Sequence, residues 1–146
     1  MSKSQEGYKT RSLGLDIGDK RIGVALSDPG GILASPFTII ERKEERQALE
    51  AIIEIINQHQ VEKIVVGLPR SMDGSLGNQA EKVETFVQTL CSLTEVPIEF
   101  RDERLTTVSA KRLMQAAGTR KTKRKARDDA IAATLILQGY LDEAQL

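Results

Sequence analysis

Ser12 to Ser27 reads SLGLDIGDKRIGVALS, and this stretch decides the fold. Ser12 to Ile17 is expected to be a strand, GDKR a turn, and Arg21 to Ser27 a second strand. In the second strand Ile22, Val24 and Leu26 alternate with smaller residues, as a half-buried strand requires. Two strands separated by so short a polar turn make an antiparallel hairpin. The turn signal Asp28-Pro29-Gly30-Gly31 follows, and Ile32 to Ile40 extends the hairpin to a meander. Pro36 interrupts that third strand and places it at a sheet edge or on a bulge, because proline has no N–H to give a ladder.

Beyond Ile40 the period changes. Between Lys43 and Gln58, Leu49, Ile52, Ile53 and Ile56 fall on one face of a helix. Lys63 to Leu68 (KIVVGL) is a continuous apolar run, the mark of a strand buried on both faces. Pro69 to Asn78 reads as a loop. Ala80, Val83, Val87, Leu90 and Thr94 mark a second helix, Pro97 to Arg101 a fifth strand, and Thr107 to Ala117 a third helix with Gly118 at its C′ position. A basic loop, TRKTKRK, precedes a last helix from about Arg127 to Leu141, apolar nearly all round. The order βββ-α-β-α-β-α-α describes an α/β fold, a mixed five-stranded sheet with helices on both faces. Residues 1–11 are expected to be a disordered polar tail and residues 12–146 a single domain.

A chain of 146 residues can bury enough surface to be stable without disulfides. Aromatic residues make up only 3%, with no Trp, which argues against base stacking as the main mode of nucleic-acid binding. The polar start has no signal-peptide core, and no apolar run approaches the ~20 residues of a membrane span. A cytoplasmic location away from membranes is expected. Net charge is zero, yet Arg101 to Arg127 holds ten Lys/Arg against Asp102 and Glu103, a local charge of +8. Such segregation suits a polyanionic partner; a solvated loop is the plainer reading.

Three acidic positions stand out. Asp16 interrupts an apolar strand, where a buried carboxylate needs a metal or a basic partner, although a turn cap would also explain it. Asp102 and Glu103 close the last strand between Arg101 and Arg104, an arrangement equally suited to a surface salt-bridge cluster. Asp128 and Asp129 open the last helix, where acids complement the helix dipole. The topology can bring all three segments to one edge of the sheet. Clustered carboxylates repel one another unless a cation is present, and hard oxygen ligands favour Mg²⁺ or Mn²⁺. Two such ions support phosphodiester hydrolysis.

Other chemistries have little to build on. His59 is the only histidine and is expected to be a solvated surface residue, so neither a Ser-His-Asp triad nor a histidine-rich metal site can form. Cys91 is expected to be a buried structural thiol on the second helix. No P-loop is present.

The four segments LGLDIGDKRIGVALSD, IVVGLPRSMDGSLGNQA, FRDERLTT and KARDDAIAATLILQGYLD resemble, in order and spacing, the motifs of the YqgF/RuvX family of RNase H-like proteins. The resemblance spans nearly the whole chain. It implies an RNase H-like fold, with Asp16, Glu103 and Asp129 as catalytic, metal-binding acids for two Mg²⁺ or Mn²⁺ ions. A loop of Gly67, Leu68, Pro69, Asp73, Gly74 and Asn78 would lie beside the site. Asp73, Asp102 or Asp128 would be the fourth acid if the site uses four.

The family is similar both to nucleases that mature the 5′ end of pre-16S rRNA and to Holliday junction resolvases. The ribosomal reaction is the expected one, with branched DNA as the alternative substrate. Lys20, Arg21, Arg104, Lys121, Lys123, Arg124, Lys125 and Arg127 are expected to contact the nucleic-acid backbone. The protein would be a monomer or a homodimer, junction cleavage favouring the latter. Two rival readings remain open. The first hairpin also looks like that of actin-like ATPases, which need two such domains, and the basic loop alone would suit a non-catalytic RNA-binding module.

Overall fold

The computed structural model describes residues 11–69, 77–102 and 124–144, with side chains from residue 130 onward in the last segment. Strands β1 (Arg11–Ile17), β2 (Arg21–Ser27) and β3 (Ala34–Glu41) form the expected meander. Then come α1 (Glu45–His59), β4 (Val61–Leu68), α2 (Asn78–Cys91), β5 (Ile98–Asp102) and α3 (Arg124–Ala144). The sheet order is β3-β2-β1-β4-β5. The meander pairs are antiparallel, whereas β4 joins β1 and β5 in parallel. This is the expected mixed sheet, with β1 at its centre.

Alternation along β1 separates two faces. Leu13, Leu15 and Ile17 pack with Ile22, Val24, Ile64 and Val66 against the apolar faces of α1 and α2. Helix α1 contributes Leu49, Ile52, Ile55 and Ile56, and α2 contributes Val83, Phe86, Val87 and Leu90. Burying each such side chain contributes roughly 1.5–3 kcal/mol. The opposite face has a floor of small residues, and α3 lies on it through Ala133, Ile136, Leu137 and Leu141. Contact there is close. A Cβ on Gly14 would lie 2.7 Å from Leu137 Cβ and 2.9 Å from the Ala133 carbonyl oxygen.

Pro36 satisfies both readings offered for it. Its strand is the sheet edge, and the register slips between Val24, opposite Thr38, and Ala25, opposite Pro36. Phe37 is the extra residue of that bulge. Before β3, Asp28 accepts the backbone N–H groups of Leu33 at 2.9 Å and Ile32 at 2.7 Å. Those bonds, Leu33's foremost, hold its carboxyl below the usual carboxylate range.

Several boundaries and environments differ from expectation. Strand β1 already includes Arg11, whose guanidinium lies 3.1 Å from His59 Nδ1. His59 is therefore not a solvated residue: it is half-buried, with the Phe37 ring edge-on at 5.0 Å. Cys91 is exposed rather than buried. It ends α2 one residue after buried Leu90, and one residue is a rotation of about 100° around a helix. Strand β3 starts at Ala34 because Asp28 holds Ile32 and Leu33 in the preceding turn. Helix α3 starts at Arg124, so Arg124 and Lys125 are helical rather than part of the basic loop, while Arg127 is helical as expected. Arg, Lys and Ala are strong helix formers, and here their propensity outweighs the unfavourable placement of cations at a helix start. The expected helix from Thr107 to Ala117 lies outside the described residues.

Candidate functional site

Asp16 lies on the central strand, half-buried and engaged with neighbouring groups. Its cross-strand partner on β2 is Gly23. On the other side Leu15 pairs with Val66, so the next residue of β4 beside Asp16 is Gly67. The two strand positions that flank Asp16 are thus both glycines. The strand alternation puts Asp16 on the same face as Gly14, the face that carries α3.

Register then relates this carboxylate to the second acidic segment. Gly67 pairs with Arg101 and Leu68 with Asp102. Asp16 and the end of β5 therefore share one end of the sheet, separated by β4 alone. Two strand spacings amount to about 10 Å. Half-buried Asp102 closes β5, and Glu103, the next residue, lies outside the described residues.

Two contacts give the direction of α3. Ala133 and Leu137 sit over Gly14, whereas Tyr140 lies under the Lys63 ammonium at 5.7 Å. Lys63 pairs with Ser12, at the far end of β1 from Asp16. Gln138 agrees, accepting the Ala34 N–H at 2.9 Å, and Ala34 is the partner of Ser27. The helix thus runs antiparallel to β1. Its first turns, which carry the backbone of Asp128 and Asp129, point toward the Asp16 end of the sheet.

The same end gathers most of the expected loop residues that are described. Gly67 and Leu68 are buried at the end of β4, half-buried Pro69 follows, and exposed Asn78 opens α2. Lys20 is exposed on the β1–β2 turn, and half-buried Arg21 begins β2. Asp73, Gly74, Arg104, Lys121 and Lys123 lie outside the described residues, as do the side chains of Arg124, Lys125, Arg127 and Asp129. Among the described residues no three His, Cys, Asp or Glu side chains cluster to hold a metal.

Arg101 has a role that its local sequence does not suggest. Its Nη1 donates to Glu143 Oε1 at 2.7 Å, and its side chain is only 11% exposed. The guanidinium rests on the backbone of Gly139, where a Cβ would come within 2.7 Å of it. The Arg101 bond holds the exposed Glu143 carboxyl below its ordinary range. This pairing is tertiary, with a helix 42 residues further along the chain, whereas Glu103 and Arg104 of the expected local cluster lie outside the described residues. Gly139 would otherwise be a costly residue in a helix interior. Gly139→Ala gains about 1 kcal/mol of helix propensity and displaces only a flexible side chain whose partly exposed pairing is worth about 0–1 kcal/mol. The melting temperature of that variant is expected to stay near the native value, read by thermal denaturation.

Arg42 is a second residue that the sequence did not single out. It follows β3 and donates from Nη1 to the Gly18 carbonyl at 2.6 Å. It borders an open cleft of about 560 Å³, also lined by Asp19, Asn78, Lys82 and Phe86. Nothing in the run IIERKEER marks Arg42 from its basic neighbours, because its partners are set by the meeting of three elements.

Residues 10–143 match the family model RuvX, described as Holliday junction resolvase. A protein of Clostridium kluyveri named "Putative pre-16S rRNA nuclease" is 52% identical over 132 residues, covering 90% of this chain and 96% of the relative. One of the same name from Roseiflexus is 48% identical over 132 residues, covering 90% and 94%. Among solved structures, Thermus thermophilus RuvC in complex with a Holliday junction superposes with a TM-score of 0.57 at 12% identity, covering 93% of this chain and 96% of that one. Fowlpox virus resolvase with junction DNA gives 0.59 at 10% identity, covering 94% and 100%. At such identities the two structures speak for the fold alone, and the fold is the RNase H-like one expected.

Proposed function

This chain belongs to the RuvX family of Holliday junction resolvases, and from that premise we propose that it is a metal-dependent nuclease acting on the precursor of 16S ribosomal RNA. The observation that carries the reading is the convergence of Asp16, the end of β5 and the first turns of α3 at one end of the sheet. Substrate choice follows the relatives, since those near 50% identity over almost their whole length bear the ribosomal RNA name.

Asp16, Glu103 and Asp129 are the residues that would hold the metal. All three offer hard oxygen atoms, the donor type that selects Mg²⁺ or Mn²⁺. Asp16 fits this use because it is anchored on the central strand, with glycines at both flanking strand positions. When bound, a pair of such ions supplies an activated water and stabilises the leaving oxygen. The chain's own contribution is to supply the three carboxylates, Asp16 from the central strand, and to hold the phosphate backbone beside them. Lys20 and Arg21 lie on or next to the turn that follows Asp16, and Arg104, Lys121, Lys123, Arg124, Lys125 and Arg127 supply the rest of the cationic surface.

Among the described residues no helix is long and apolar enough to cross a membrane. A cytoplasmic location fits a substrate made in that compartment. One copy suffices to cut a single RNA strand, so a monomer serves the ribosomal reaction and a homodimer the junction.

Cleavage of a pre-16S 5′ leader and of a four-way DNA junction, side by side with Mg²⁺ and Mn²⁺, tests the reading. Cleavage of the leader is expected, and cleavage of the junction alone would transfer the function to recombination. Replacing Lys121, Lys123, Arg124, Lys125 and Arg127 together with Ala is expected to weaken RNA binding and flatten its salt dependence. Each lost phosphate contact lowers the log–log slope by about 0.7 on single strands. An unchanged slope would rule this segment out as the main contact.

A further inference from the structure

The β1–β2 turn that follows Asp16 is held from outside chiefly by Arg42, the exposed Lys82–Asp19 pair at 3.8 Å being the looser contact. Gly18 donates its N–H to the Arg21 carbonyl at 2.9 Å, and a Cβ on Gly18 would approach that oxygen to 2.8 Å. The turn is therefore too tight for any other residue at Gly18. Arg42 grips it at two points. Its backbone N–H donates to the Lys20 carbonyl at 2.9 Å, and its Nη1 donates to the Gly18 carbonyl at 2.6 Å.

Arg42 is itself fixed. Its Nε and Nη2 donate to the Glu45 carboxylate at 2.8–3.3 Å, and its guanidinium lies over the Phe86 ring at 4.9 Å. Glu45 begins α1 and Phe86 belongs to α2, so the guanidinium ties the turn to both helices of one face. Its side chain is 15% exposed, whereas Glu45 is 51% exposed. The Glu45 pair, with one exposed partner, contributes little stability and is a poor explanation for the arrangement. Geometry is a better one: a displacement of about 1 Å at a reacting centre can cost a hundredfold in rate.

We propose that Arg42 is a positioning residue of the nuclease site, acting through the Gly18 carbonyl to hold the Asp16 end of β1 and the Lys20 turn in register with the substrate. The assignment rests on the nuclease reading above. It concerns a residue outside the acidic set, on neither the strand of Asp16 nor the helix of Asp129.

The test uses full-length Arg42→Ala and Arg42→Lys, compared with the native protein in two measurements. The first is cleavage of the pre-16S leader as Mg²⁺ is varied. The second, independent of catalysis, is hydrogen exchange of the backbone amides of Gly18 to Arg21. Arg42→Ala is expected to lower kcat about ten- to a hundredfold, the range typical when a supporting group behind a metal ligand is removed. Its half-saturating Mg²⁺ should rise, KM for RNA should stay within about twofold, and the Gly18 amide should exchange faster. Arg42→Lys keeps a donor for the Gly18 carbonyl and should recover part of the rate; it also serves if the Ala variant does not fold.

Native kcat and Mg²⁺ dependence in Arg42→Ala would overturn the proposal, as would a lowered melting temperature with both values unchanged. A native protein that cuts neither substrate would instead sink the nuclease reading and the catalytic role with it. The exchange measurement then decides the clamp alone, and unaltered exchange in Arg42→Ala refutes that too.

Discussion

Asp16→Asn is expected to abolish metal-dependent cleavage while leaving RNA affinity nearly intact. Asn has the size of Asp and can replace some of its hydrogen bonds, but it removes the charge that a divalent cation needs. Loss of groups behind a metal ligand typically costs ten- to a hundredfold, so loss of a ligand should exceed about a hundredfold in kcat. RNA affinity resides in the basic residues, so the dissociation constant at fixed salt should change little. Asp16 is engaged with neighbouring groups, so the melting temperature reports separately any loss of those contacts in the variant. Single-turnover cleavage, binding and thermal denaturation on one preparation separate these effects. Activity within a few-fold of native would remove Asp16 from the site.

The largest effect on stability is expected at Gly14. Its position beneath α3 leaves no space: an added Cβ meets Leu137 Cβ at 2.7 Å and the Ala133 carbonyl oxygen at 2.9 Å. One of these atoms is backbone and the other is fixed to it, so the helix must move away from the sheet. Overpacking of this kind costs about 1–3 kcal/mol, which lowers the melting temperature of a chain this long by several degrees. Because α3 carries Asp129, Gly14→Ala should lose cleavage as well. Gly139→Ala is the natural control: it is the same change opposite a flexible guanidinium, with little effect expected. Equal melting temperatures for the two variants would contradict this account of how α3 is seated.

Much of this architecture is legible in residue order. The alternation in RIGVALS, the apolar run KIVVGL and the turn at Asp28 to Gly31 each report a local period or a backbone preference, and each element formed where its pattern lay. Asp16 stood out for the same reason, as a charge inside an apolar strand. What could not be read depends on pairings between distant segments. The glutamines beside His59 point to a solvated residue, yet Arg11 and Phe37 reach it across the fold. The run RDER points to a local charge cluster, yet Arg101 also reaches Glu143 and Gly139 on α3. Cys91 kept the apolar company of its helix in sequence but not in space, because the last turn carries it away from the core. Arg42 had no local signal at all. The acidic site is intermediate: the strand register places Asp16 level with the end of β5, whereas assignment of Glu103 and Asp129 as its partners rests on the family resemblance.

The measurement that bears most directly on the central claim is Mn²⁺ binding to the native protein and to Asp16→Asn, Glu103→Gln and Asp129→Asn, followed by paramagnetic resonance or calorimetry. If the three carboxylates share one metal site, each single substitution weakens Mn²⁺ binding at least tenfold, and Asp28→Asn, at a distant turn, leaves it unchanged. Native affinity for Mn²⁺ in all three variants would contradict a shared site.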